Sequence, residues 1–101
     1  MRLYLSGAVS YNPEEAKIRF IEAEERLKDR YTIFNPYTYC EKNGIIGWKE
    51  CMALVLPEIF KCDGVAVVDA CHESLGRDIE LHIAEKMCMP IQAIEQWEAI
   101  E

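Results

Sequence analysis

The chain has 101 residues, half of them hydrophobic, 29% charged and 10% aromatic, the make-up of one globular domain. Eleven basic residues against 18 acidic ones give a formal net charge of −7. That balance argues against polymeric nucleic acid or an anionic membrane surface as partner, because both need a clustered basic face, while a small anion can still be held by local N–H groups. No apolar run approaches the roughly 20 residues of a membrane span. Met1-Arg2-Leu3-Tyr4-Leu5 runs straight into a strand pattern with no signal-peptide character, so the expected location is cytoplasmic, with no membrane partner.

Residues 2–6 read as a short strand that stops at Gly7. Asn12-Pro13 marks a helix start, with Asn12 as N-cap, Pro13 in the first position and Glu14 and Glu15 in the first turn. Ala16, Phe20, Ala23 and Leu27 follow at helical spacing, and the helix is expected to end near Arg30. Thr32-Ile33-Phe34 is a second strand, closed by Asn35-Pro36. From Pro36 to Gly47 the pattern is irregular and reads as a long loop, of the kind that often carries function. Trp48 to Phe60 reads as a helix with Pro57 as an internal defect or boundary. Gly64 to Asp69 is a nearly uninterrupted apolar strand, as expected of a central parallel strand covered on both faces. A third long helix runs from about Gly76 to Met87, Pro90 to Ala93 is the last strand, and Glu95 to Glu101 is a short terminal helix.

The alternation βαβαβαβα predicts a small doubly wound, Rossmann-like α/β domain with a four- to five-stranded parallel sheet and helices on both faces. The four readable strands are expected in the order 2-1-3-4. Ligands of such sheets bind beyond the carboxyl ends of the strands where the order reverses, which points to the loops after Gly7 and after Asp69. A domain of this size has little room for a deep pocket of its own, so a homodimer or higher homo-oligomer is expected.

On the third long helix Gly76, Glu80, Ile83, Ala84 and Met87 share one face, and Asp78, His82 and Glu85 the other. Glu80 therefore heads the stripe that packs against the sheet, where a carboxylate is expensive unless something uses it. Two readings stand: a catalytic group, or a structural one that complements the helix dipole or pairs with Arg77 or Arg2. Glu73-Ser74-Leu75-Gly76-Arg77 offers a hydroxyl, a glycine and a helix start, which make either an anion cradle or an ordinary N-cap and turn. Gly7 and Ala8 allow a ligand close to the backbone but form no P-loop. Asp69 ends its strand and points at the same crevice, and Asp63, at the other end of that strand, reads as a turn residue. Tyr4 either reaches a neighbouring strand's end with its hydroxyl or is a core tyrosine with a satisfied OH. Tyr37, Tyr39 and Trp48 either cover a flat aromatic ligand or pin a long loop to the core. His72 reads as an acid–base group or as solvated surface; His82, on the outer face, is set aside. Cys40, Cys51, Cys62, Cys71 and Cys88 include no C-x-x-C pair and fit no zinc module, so reduced thiols, no metal and no cofactor are expected.

Tyr4-Leu-Ser-Gly7, Cys62-Asp63-Gly-Val-Ala-Val-Val, Ser74-Leu-Gly76 followed by Glu80-Leu and Ala84, and then Pro90-Ile91 together resemble the nucleoside 2-deoxyribosyltransferase superfamily. More narrowly, they are similar to its short bacterial and phage members and to the 2'-deoxynucleoside 5'-monophosphate N-glycosidases. The resemblance covers nearly the whole chain, and its most specific element runs from Ser74 to Ala84. It implies that Glu80 is a nucleophile that forms a glycosyl ester with deoxyribose, which water or a second base then takes. It also implies that Tyr4 orients Glu80, that Ser74 contacts phosphate or sugar, and that Gly7 is the first-loop glycine. The implied partner is a small deoxynucleoside or deoxynucleotide, in an enzyme that is a homodimer or larger. The chain departs from the pattern at Val55, where the resemblance puts a second carboxylate that Glu58 or Asp69 would have to replace. It departs again in lacking a first-loop arginine between Ala8 and Asn12 and a glycine before Pro90. A non-catalytic nucleotide-binding module of the same fold is the alternative.

Overall fold

The computed structural model describes residues 1–7, 13–68 and 75–100. Strands β1 (Arg2–Ser6), β2 (Thr32–Phe34), β3 (Gly64–Val67) and β4 (Ile91–Ala93) form one all-parallel sheet in the order β2-β1-β3-β4, as the alternation of elements predicted. Leu3 lies opposite Ile33 on one side and Gly64 on the other, and Val65 lies opposite Ile91. The two central strands are covered on both faces, so their sequences need no polar alternation. Leu3, Tyr4, Leu5, Val65 and Ala66 are all fully buried.

Each face of the sheet has its own core. On one side Leu3, Leu5 and Ala66 pack with α1 (Pro13–Leu27) and α5 (Ile94–Glu98). The expected stripe Ala16, Phe20, Ala23 and Leu27 supplies the α1 contribution and is buried throughout. On the other side Tyr4, Phe34 and Val65 pack with Cys40 of α2 (Pro36–Lys42), Val55 and Ile59 of α3 (Trp48–Ile59) and Ala84 of α4 (Leu75–Lys86). α3 continues through Pro57 for two residues, so the proline is an internal defect and not the end of the helix.

The segment read as a loop from Pro36 onward contains a helix, α2. Asn35 caps it: its side-chain oxygen accepts from the backbone N–H groups of Tyr37 at 3.1 Å and Thr38 at 3.3 Å, with Pro36 in the first turn. The Asn-Pro pair that signals a helix at residues 12–13 thus signals one here too, but it follows a short strand and reads equally well as that strand's end. α2 closes at Gly44, whose φ of 70° is the left-handed conformation that glycine adopts without strain.

The expectation of reduced thiols is corrected for one pair. Cys40 and Cys51 form a disulfide, with Cα atoms 5.9 Å apart, that ties α2 to α3. They are eleven residues apart in sequence, and the packing of α3 beside α2 brings them together. Cys62, buried, and Cys88, exposed, are free thiols. Among the described residues no helix is long and apolar enough to cross a membrane.

Candidate active site

Successive side chains of a strand point to opposite faces, so Tyr4 and Ser6 of β1 share the face that α4 covers. On α4 the helical period puts Gly76, Glu80 and Ala84 on the covered side, and all three are buried. Met87, expected on that stripe, lies beyond the helix end and is 40% exposed. The two patterns meet at Glu80, which is only 5% exposed. Ser6 Oγ donates a hydrogen bond to Glu80 Oε1 at 2.8 Å, and Tyr4 Oη donates one to Glu80 Oε2. Burial pushes the Glu80 carboxyl up to about 7, against the two hydroxyl hydrogen bonds, which favour its charged form. The Tyr4 phenol is held far above its ordinary value by burial and then by the Glu80 charge, so it stays protonated as a donor.

The structural reading of Glu80 as an ion-paired residue is overturned. Arg2 instead turns to Glu58 at 3.5 Å and lies over the Phe34 ring, and Arg77 lies 3.8 Å from Asp78. Dipole complementation does not account for Glu80 either, since it is the sixth residue of α4 and the effect fades after the first turn.

Glu80 lies in the wall of a cleft of about 460 Å³ at the carboxyl end of β1. This is the position a parallel sheet offers where its strand order reverses between β1 and β3. Gly7, Gly76, Arg77 and Val55 also line it, and the segment from α2 to the start of α3 forms the opposite wall. That wall carries Tyr37, Ile45, Ile46 and Trp48, together with both sulfur-bearing residues of the disulfide. The site is thus an apolar, aromatic chamber with one buried carboxylate and, at its margins, Glu41 and Arg77.

Of the residues singled out in the sequence, Tyr4 and Glu80 are brought into direct contact, and Gly7 and Gly76 line the same cleft. Gly76 also has a packing role: a Cβ there would stand 3.3 Å from Trp48 Nε1 and 3.4 Å from Met52 Sδ, so its small size lets α4 approach α3. Ala8, Asp69 and Ser74 lie outside the described residues, as do Asn12, Cys71 and His72. Tyr37 and Trp48 line the cleft, whereas Tyr39 packs on Phe34 with ring centroids 5.0 Å apart. Glu58 does not reach the cleft; it is held by Arg2 and by Lys61 at 2.9 Å, which removes it as a stand-in for a second carboxylate. Val55 is 1% exposed and is part of the cleft wall. Asp63 is the expected turn residue, and its carboxylate accepts from the Arg2 backbone N–H at 2.8 Å.

Two residues escaped the sequence reading. Ser6 was legible in principle, since it stands two positions after Tyr4 on the same face of a strand. Glu41 fell in the segment taken for a loop; in the structure it faces the cleft and is bridged to Lys17 of α1 at 3.0 Å. Among the described residues no group of three or more His, Cys, Asp or Glu side chains is placed to hold a metal ion.

A parallel α/β domain with a hydroxyl-bridged, buried carboxylate at its switch-point cleft is therefore the class that fold and site define. The chain belongs to the DUF4406 family, a domain of unknown function whose family model matches residues 1–93. That match takes in all four strands, Tyr4, Ser6 and Glu80, and stops at the last residue of β4. Comparison with curated proteins finds no match.

Proposed function

We propose that the protein cleaves or transfers the N-glycosidic bond of a 2'-deoxynucleoside or its 5'-monophosphate through a covalent intermediate on Glu80. The observation that carries this reading is the Glu80 carboxylate, buried in the cleft wall and oriented by Tyr4 and Ser6. The resemblance of the Tyr4–Gly7 and Ser74–Ala84 segments to nucleoside 2-deoxyribosyltransferases supports it, as does an apolar chamber with Tyr37 and Trp48 in its wall, suited to a flat heterocycle.

In this reaction a Glu80 oxygen attacks C1' of the deoxyribose. The C1'–N bond breaks and its electron pair leaves with the base, which takes up a proton. Water, or a nitrogen of a second base, then attacks C1' and the ester bond returns its electron pair to Glu80, with release of the acceptor's proton. Glu80 must be ionised to attack, so a carboxyl near 7 makes activity rise with pH up to about that value. The reading includes a homodimer or larger assembly, supported by fully exposed Ile46 and half-exposed Trp48 at the cleft rim, apolar surface that a second copy would cover.

A second reading, a nucleotide-binding module without turnover, is favoured by Val55, which puts an alkyl wall where the resemblance calls for a carboxylate. One experiment separates the two: chromatographic detection of free base from the panel of deoxynucleosides and their 5'-monophosphates, with and without an acceptor base. Base release by the native protein and none by Glu80→Gln is the expected result. Nucleotide binding in calorimetry without base release from any member of the panel assigns the protein to the second reading.

A further inference from the structure

The wall opposite Glu80 rests on a short helix and an irregular lip. α2 has only 7 residues, too few to persist as an isolated helix. Its attachments are the Asn35 cap, the buried Pro36 and Cys40, ring contacts of Tyr37 with Phe20 at 6.1 Å and of Tyr39 with Phe34 at 5.0 Å, a bridge from Glu41 to Lys17 between two substantially exposed side chains, and the Cys40–Cys51 disulfide. An exposed ion pair holds little. The covalent bridge closes the segment that carries Gly44, Ile45, Ile46, Gly47 and Trp48, most of the outer lip of the cleft. Both bridged residues themselves line the cleft, and Cys51 is the less buried of the two.

We infer that Cys40 and Cys51 form a reversible thiol–disulfide site, reached by small thiols through the cleft, whose oxidised state holds the cleft wall in order. The reductant is a small dithiol. Its thiolate attacks a bridge sulfur, on Cys51 by exposure, the S–S bond breaks and Cys40 leaves as a thiolate that takes up a proton. The second thiol of the reagent then displaces Cys51, so two electrons pass to the protein and the reagent departs as a cyclic disulfide. Reduction leaves Asn35, the aromatic contacts and the packing of Cys40 on the core in place but removes the covalent tie between α2 and α3. The lip from residue 43 to residue 48 then loses its pre-organisation, and a ligand of the cleft must order it on binding. The inference concerns the same cleft as the proposed reaction but rests on the wall alone.

The test is amide hydrogen exchange read by mass spectrometry on the full chain, oxidised and after dithiothreitol, with thiols counted by a labelling reagent. Dithiothreitol is expected to release two thiols per chain from the folded protein and to speed exchange across residues 36–48 at least tenfold. Exchange in β3 should stay unchanged, and reoxidation should restore the slow state. A Cys51→Ser variant should show the fast pattern in both conditions. A bridge that resists dithiothreitol until the chain unfolds overturns the inference. So does exchange that is equal in both states, or that rises equally in β3. Because no substrate is needed, these outcomes are independent of whether base release is found.

Discussion

At Glu80 two opposing effects set the charge. Removal from water favours the neutral acid, and hydrogen bonds from Tyr4 and Ser6 favour the carboxylate; the first wins and the group sits near 7. A carboxyl raised from 4.5 to about 7 on folding holds its proton more tightly in the native state. Its contribution to stability is fully present below about pH 4.5 and is lost as the pH rises through 7, by about 3 kcal/mol. Glu80→Gln cannot ionise, so thermal unfolding should find it close to the native protein at about pH 4.5 and clearly more stable at about pH 8. Parallel curves for the two proteins across that range would show that Glu80 does not titrate as its burial implies. Tyr4→Phe removes a hydrogen bond that favours the charged form, so the rising limb of base release should move to higher pH. A limb at the native position in this variant would remove Tyr4 from the control of Glu80. The sequence places Glu80 on a buried stripe and the resemblance pairs it with Tyr4, but the second donor, Ser6, and the balance between burial and hydrogen bonding come only from the structure.

Two helices end in the same way with different residues. α2 and α4 both close with a pair of backbone bonds that reach back over the last turn: Ile45 to Cys40 at 2.9 Å and Gly44 to Glu41 at 3.1 Å, and Met89 to Ala84 at 2.9 Å and Cys88 to Glu85 at 3.0 Å. The residue that must turn left-handed is Gly44 in the first, with φ 70°, and Cys88 in the second, with φ 58°. A side chain there costs about 1–2 kcal/mol, of which glycine's extra freedom in the unfolded chain gives back part. Cys88→Gly is thus expected to stabilise the protein by about 1 kcal/mol, seen as a melting temperature higher by about 4–8 °C. An unchanged or lower value would mean that Cys88 makes compensating contacts. The missing glycine before Pro90 was readable from the sequence as a departure, but what it costs depends on the backbone angle. The α2 helix shows the converse: its cap was readable, and the strand before it masked it.

Across the whole molecule the sheet is the partition between two cores, and at Gly64 of β3 one layer packs tightly on the next. Gly64 has room for nothing more: a Cβ would lie 3.1 Å from Leu3 Cδ2 on the neighbouring strand and 3.1 Å from the Trp97 ring of α5. Both neighbours are buried, and Trp97 is further fixed by its Nε1 donating to the Val65 carbonyl at 2.9 Å. Gly64→Ala should therefore cost about 1–3 kcal/mol by overpacking, measured by denaturant unfolding. A neutral result would show that α5 can shift outward despite its ties. Those ties are several: Arg26 to Glu98, Arg30 to the Glu98 carbonyl at 2.7 Å, and the Tyr31 hydroxyl to the Trp97 carbonyl at 2.9 Å.

By itself the sequence determined the layers of this protein: the order of elements apart from α2, the parallel sheet 2-1-3-4, the α1 stripe and the burial of Glu80. These follow from periods of two and 3.6 residues and from the short-range chemistry of caps, which are local properties of a chain. The tertiary structure alone decided what surrounds Glu80. It added Ser6 as a second donor beside the expected Tyr4, turned Glu58 away to Arg2, seated Glu41 on the cleft and joined Cys40 to Cys51. Each of these is a meeting of residues from different elements, fixed by how the helices pack on the sheet and not by spacing along the chain.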